Sequence, residues 1–218
     1  MSTYIPMTWP VVDLEAVCLL QNLTAPGPLI LNGTLINSNI PAQISFIAAN
    51  LTRSVSITSV NNLSGATFTI SGFQNDAFVT ENITGPNATT VYGTKYYDII
   101  TSVIVSSAVT QVSVGTGSQG YLPLIPFSTI STTVNYSCSI YLSAGSGVTY
   151  SILQTLEQVT TNFITFKDQE GTNFFPISSN QTISQILNFT AITNYLLVKI
   201  VSSTNPTTDT LKFIFLQQ

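Results

Sequence analysis

ATFTISGF (66–73), AFVTENITGPNATTVYGTKYYDIITSVIVSS (77–107) and VSVGTG (112–117) together decide the fold. Apolar residues recur there at a spacing of two, the period of a strand with one buried face. Phe68 and Ile70 point one way; Thr67, Thr69 and Ser71 point the other. Asn75-Asp76 turns the chain, and Val79, Glu81 and Ile83 then share a face. Gly85-Pro86-Asn87 makes a corner. Beyond it Tyr97, Ile99, Val103 and Val105 line a long strand and Val112 and Val114 a short one, after which Gly115, Gly117 and Gly120 are expected to loosen the chain. Glu81 stands out, because burying an unpaired carboxylate between aliphatic neighbours is costly. It is expected at a sheet edge or in a local pairing with Lys95, not as a catalytic acid, since a lone carboxylate is weak evidence for chemistry.

The same period runs outward. Upstream, Met1 to Pro10 reads as an extended arm: Pro6 and Pro10 exclude regular ladder pairing nearby, while Tyr4, Ile5, Met7 and Trp9 offer apolar surface that must dock. It can dock on its own domain or on a neighbouring subunit. Asp13 to Gln21 fits a short helix or a strand. Pro26-Gly27-Pro28 is a turn, and Asn32-Gly33 between Leu29–Leu31 and Leu35-Ile36 is a hairpin signal. Gln43 to Ala48 reads as a strand, and Val55 and Ile57 alternate with Ser54, Ser56 and Thr58 as a half-buried one.

Downstream, the apolar stretch Tyr121 to Phe127 reads as a packed-down connection. Val134, Tyr136, Cys138, Ile140 and Leu142 then share a face, as do Val148, Tyr150, Ile152 and Leu156. Asn162 to Phe166 and Asn173 to Ile177 are expected as short strands around the charged turn Lys167–Gly171. Leu196 to Val201 and Leu211 to Leu216, apolar on both faces, are expected as a final hairpin central in a sandwich. The fold class is therefore all-β: two consecutive antiparallel β-sandwich or barrel-like domains with an extended N-terminal arm. The arm covers 1–12, the first domain 13–120, the connector 121–127 and the second sandwich 128–218.

Composition narrows the function. The 218 residues bear only 6% charged side chains, against an average near 25%, and Ser, Thr and Asn take their place. A surface with so little charge repels its own copies weakly, which suits a subunit that sits against other protein. With net charge -4 and Arg53, Lys95, Lys167, Lys199 and Lys212 scattered, no basic stripe forms to neutralise phosphates, so no nucleic-acid partner is expected. The first twenty residues show neither the basic nor the long apolar region of a signal peptide, no window reaches the length of a membrane span, and no membrane partner is expected. Asn-x-Ser/Thr triplets such as those at Asn22, Asn32 and Asn82 follow from composition.

The residues that carry common chemistries are missing. The chain has no histidine, which removes the commonest general base and metal ligand. Cys18 and Cys138 do not make a zinc site; Cys138 reads as a buried thiol, and a disulfide between the two would have to join the two domains. Gly115-Thr116-Gly117-Ser118-Gln119-Gly120 has the G-x-G-x-x-G spacing, but Tyr121-Leu122-Pro123 follows where a nucleotide site needs a helix, so the segment is read as a loop. Asp168 and Glu170 lack an EF-hand pattern, and nothing in the spacing of Glu81, Asp98 and Glu157 pairs them as glycosidase carboxylates. No enzyme activity, cofactor, metal site or catalytic residue is expected.

One resemblance adds to this. Thr80-Glu81-Asn82-Ile83-Thr84-Gly85-Pro86-Asn87-Ala88, then Lys95-Tyr96-Tyr97, Ile100-Thr101-Ser102-Val103 and Val112-Ser113-Val114-Gly115, resemble a family of tailed-bacteriophage virion proteins. Leu29–Gly33 and the later Thr133–Tyr136 are similar too, and the resemblance is looser beyond Gly117. Phe73-Gln74-Asn75-Asp76 stands where the family has an Asp-x-x-Gly turn. The resemblance implies a structural component of the virion, assembled in the host cytoplasm. The expected role is a capsid decoration or cement protein, a homotrimer that binds the major capsid protein. Tail, adaptor and head-fibre components are alternatives. A carbohydrate-binding host-attachment module is another, with Trp9, Tyr92, Tyr96 and Tyr97 as stacking candidates.

Overall fold

The computed structural model describes residues 2–5, 12–36, 44–45, 52–74, 77–122, 125–126, 131–142, 147–155, 174–191, 195–202 and 211–217. Of these, 67% are strand and none is helix, so the protein is all-β, with sheets in sandwich or half-barrel arrangements. The chain divides into two compact units, Val12–Gly117 and Met1–Val11 with Ser118–Gln218.

In chain order the strands are β1 (Ser2–Ile5), β2 (Cys18–Leu23), β3 (Gly27–Pro28), β4 (Ile44–Ser45), β5 (Thr52–Ser59) and β6 (Thr67–Gln74). They continue with β7 (Ala77–Thr84), β8 (Thr90–Tyr92), β9 (Ile99–Val105), β10 (Val109–Tyr121), β11 (Ile125–Pro126) and β12 (Ser131–Leu142). The last are β13 (Thr149–Thr155), β14 (Phe174–Gln181), β15 (Gln185–Ala191), β16 (Tyr195–Ser202) and β17 (Leu211–Gln217).

The Val12–Gly117 unit holds an antiparallel sheet in the order β3-β9-β6-β7, with β4 also on β9. Beside it β5 lies between β8 and β10, and β2 pairs with the first part of β10. Phe68, Ile70, Val79, Ile83, Ile100, Val103 and Val105 bury the face expected from the alternation of β6 and β7. The β9 reading needs correcting at one place. The register steps from Ser71↔Ser102 to Gly72↔Ile100, so Thr101 is an extra residue and Ile100, not Ile99, joins the core. Gly72 sits at that bulge because a Cβ there would overlap the Ile99 carbonyl.

Other readings in this unit change as well. The ambiguous Asp13–Gln21 segment becomes a turn that leads into β2. Asn32-Gly33 makes no hairpin. The chain runs beside residues 16–19 instead, with Gly33 N–H donating to Val17 O at 3.0 Å and Leu35 N–H to Ala16 O at 3.0 Å. Strand β5 is buried on both faces, not one. Gly115, Gly117 and Gly120 do not form a loop, because all three lie inside β10. A Cβ on Gly115 would strike Asp13 and Leu14, and one on Gly117 would strike Ser54, so close backbone approach explains both glycines.

In the other unit one sheet runs β1-β17-β12-β15, and β13 pairs with both β14 and β16. β11 and the last two residues of β10 also pair with β16, so Tyr121, Ile125 and Pro126 of the expected connector belong to that sheet. Tyr136, Cys138 and Ile140 from β12 are buried, as are Val148, Tyr150, Ile152 and the β16 residues Leu196, Leu197, Val198 and Ile200. Leu196–Val201 and Leu211–Leu216 are both central, as expected, but they form no hairpin: β16 pairs with β13 while β17 pairs with β12 and β1. The N-terminal arm docks through β1 on the edge of β17. Both cysteines are free and buried. The expected strand Asn173–Ile177 is present from Phe174 onward as part of β14, whereas Asn162–Phe166 and the charged turn Lys167–Gly171 lie outside the described residues, as do Leu156 and Glu157.

Candidate interaction face

The outward side of β3-β9-β6-β7 is the surface most distinctive in its chemistry. Register places its residues in cross-strand rows. Thr84 and Thr67 form one row; Asn82, Thr69, Ile104 and Pro28 a second; Thr80, Ser71 and Ser102 a third; Phe78, Phe73 and Ile99 a fourth. None of these positions carries a formal charge. Many of the hydroxyls are already engaged: Thr69 Oγ1 donates to Asn82 Oδ1 at 2.8 Å, Thr101 Oγ1 donates to Ser71 O at 3.1 Å, and Ser71 and Thr80 hydroxyls lie 3.4 Å apart. The Ser106 hydroxyl accepts from the Thr67 amide at 2.8 Å. Part of the hydroxyl set is thus engaged within the sheet, and the face presents methyl groups and apolar edges to a partner alongside the remaining hydroxyls. Phe78 is 63% exposed at one end, and Ile104 is 46% exposed toward the other. Ile30, two residues beyond Pro28, is also exposed.

The frame beneath this face is rigid for identifiable reasons. Glu81 is buried on the inner side of β7, the edge strand of this sheet among the described residues. Its Oε1 accepts from the Thr94 amide at 2.6 Å, the Thr94 hydroxyl at 2.7 Å and the Lys95 amide at 3.3 Å. Both expectations for Glu81 therefore hold: it is on an edge strand and pairs locally, reaching Lys95 through the main chain. The Lys95 ammonium donates to Thr80 O at 2.8 Å and caps that edge, a common protection against strand addition. The Gly85-Pro86 corner is fixed by Gly85 N–H to Ala66 O at 2.9 Å and by Leu63 N–H to Pro86 O at 2.7 Å. No side chain other than hydrogen fits at Gly85, where a Cβ would overlap the Leu63 carbonyl.

Arg53, 3% exposed, is a buried group that a list of scattered cations hides. Its Nε and Nη2 donate to the Gly117 carbonyl at 3.1 and 2.6 Å. Burial lowers its pKa to about 10, with the Asp13 carboxylate opposing the shift. Burial pushes the thiols of Cys18 and Cys138 up to about 12, so both are poor nucleophiles at neutral pH.

The aromatic candidates do not converge. Tyr96 and Tyr97 are core residues, Tyr92 is 55% exposed, and Trp9 lies outside the described residues. The sequence reading missed the pair Phe73 and Phe78, whose rings meet edge-on at 5.6 Å and 73° across the β6–β7 hairpin. Their positions on either side of Asn75-Asp76 were the available signal. Edge-on rings present no flat platform for a sugar ring. Among the described residues no group of three or more His, Cys, Asp or Glu could hold a metal ion. No helix of the described residues is long and apolar enough to cross a membrane. No model of a known protein family matches the chain, and no curated protein matches it.

Proposed function

We propose that this protein is a structural component of a bacteriophage particle, a capsid decoration or cement protein that binds the major capsid protein. The observation that carries this reading is the uncharged, hydroxyl-laddered face of β3-β9-β6-β7 with its apolar ends. Such a face suits a neutral protein surface and offers nothing to a phosphate backbone. β6, β7 and β9, with eight, eight and seven residues, cover on the order of 400 Å² in projection. A stable interface needs about 800 Å² from each partner, so one such face binds weakly alone. Several copies acting together, as in the expected homotrimer, convert weak faces into firm attachment. Binding only to the assembled shell then stabilises that shell by mass action.

The test uses purified protein and expanded capsids that lack it. The expected result is saturable binding and greater resistance of the particles to heat and pressure. Absence of binding, or particles equally robust without the protein, sinks the reading. Imaging of intact particles separates cement from the neighbouring roles: density at a portal ring or in a fibre would assign a tail, adaptor or head-fibre component.

A further inference from the structure

β1 meets β17 at four positions, Ser2↔Leu216, Thr3↔Phe215, Tyr4↔Ile214 and Ile5↔Phe213. Among the described residues it is the terminal strand of its sheet. Yet the chain from β1 must pass through the whole Val12–Gly117 unit before it returns to the unit that β1 completes. We propose that β1 exchanges between copies, so that the β17 edge is filled by Ser2–Ile5 of a second copy of this chain.

Four considerations carry this. The β1–β17 hydrogen bonds and register are the same whether the strand comes from its own chain or another, so their energy cancels between the closed and exchanged forms. The balance then rests on connection and concentration. The strand is short, with four paired positions, so releasing it breaks few bonds. The connecting residues 6–11 include Pro6 and Pro10, and proline biases a chain toward extended conformations that favour reach over doubling back. With charged residues at 6%, copies approach with little repulsion. The exchange does not rest on the virion reading, because it needs only this chain.

Cysteine trapping in the full-length protein tests it without any particle. Opposed residues of an antiparallel pair lie about 4.5–5.5 Å apart at Cα, within the range a disulfide spans. Tyr4→Cys and Ile214→Cys are placed on separate, differently tagged chains, mixed, and oxidised; the same pair is also placed on one chain. Cys18 and Cys138 are buried and stay out of the reaction. The expected result is a disulfide-linked heterodimer whose fraction rises several-fold between micromolar and millimolar protein. If the doubly substituted chain closes only on itself and mixed chains give no heterodimer at about 1 mM, the exchange is refuted. If neither arrangement cross-links, the β1–β17 pairing fails and the exchange fails with it. A second pair, Ser2→Cys and Leu216→Cys, repeats the test if the first disturbs folding.

Discussion

At the scale of single residues, Glu81 shows how a buried charge is made tolerable. The carboxylate that interrupts the aliphatic face of β7 is enclosed by two amides and a hydroxyl from Thr94 and Lys95. Hydrogen bonds to an ionised acceptor are worth more than neutral ones, and leaving their donors unmet is costly. Glu81→Gln keeps the shape but removes the charge and turns a donor toward other donors. It should lower the unfolding free energy by about 2 kcal/mol, measured by denaturant titration. Gly93 belongs to the same clamp, since a Cβ there would press on the Glu81 carboxylate. Ala88 presents the opposite situation. Its φ of 51° follows the Gly85-Pro86-Asn87 corner, and an L-residue there is strained. Ala88→Gly should raise stability by about 0.5–1 kcal/mol, the strain relieved less the added chain entropy, and a higher melting temperature would report it.

At the scale of elements, what sequence pattern reveals is local. The faces of β6 and β7 follow directly from alternation, down to the placement of Glu81 beside Val79 and Ile83. The bulge in β9 breaks the count by one residue, and a period of two has no means of announcing it except through an interior glycine on the partner strand. Gly72 was that signal. Gly72→Ala would force a Cβ against the Ile99 carbonyl and should cost about 1–3 kcal/mol, detectable as an earlier thermal transition. The glycines of β10 were misread for a related reason: glycine signals a loop or a close approach equally well, and only the neighbouring Asp13 and Ser54 decide between them. The apolar patterns of β16 and β17 were legible as strands but not as partners. Pairing is a long-range choice, and each of them chose a strand from elsewhere in the chain. The candidate interaction face was half legible, because its Thr and Ser positions alternate visibly while the rows across strands depend on register.

At the scale of the whole molecule, the core contains acids that are neutral when folded. Burial raises Cys18 and Cys138 from 9.0 to about 12 and Tyr150 from 10.0 to about 12; Tyr97 is raised further, by burial first and the Glu81 charge second. In the unfolded chain these groups ionise at their ordinary values, so above pH 9 the unfolded state holds fewer protons and gains stability. The contribution is fully present below pH 9 and is lost as pH rises toward about 12. Arg53, lowered to about 10, and Lys199, lowered by its burial, act in the opposite sense, but they are two groups against four. The protein should therefore unfold in alkali, followed by circular dichroism between pH 9 and 12. Replacing both cysteines by Val should flatten the first part of that decline, and an unchanged slope would contradict the assignment.

The proposed capsid contact has an electrostatic signature that solution experiments can read. An interface without formal charge gains little from Coulomb attraction, so salt has little to screen. Binding to capsids should change by less than about threefold between 50 and 500 mM salt, whereas a charge-driven contact would weaken by orders of magnitude. Ile104→Glu, at an exposed position in the row with Asn82 and Thr69, should alter stability by less than about 0.5 kcal/mol, because it disturbs no buried group. On the capsid the same carboxylate would be desolvated against a neutral surface, and binding should fall at least tenfold. Phe78→Asp, at the far end of the same face, should weaken binding likewise, with an added stability loss of about 0.5–1.5 kcal/mol from the broken edge-on contact with Phe73. Ile186→Glu introduces the same charge at an exposed position in the other unit and should leave binding intact. If all three substitutions weakened attachment equally, added negative charge alone would explain the loss. If neither Ile104→Glu nor Phe78→Asp weakened it, the partner would have to sit elsewhere on the protein.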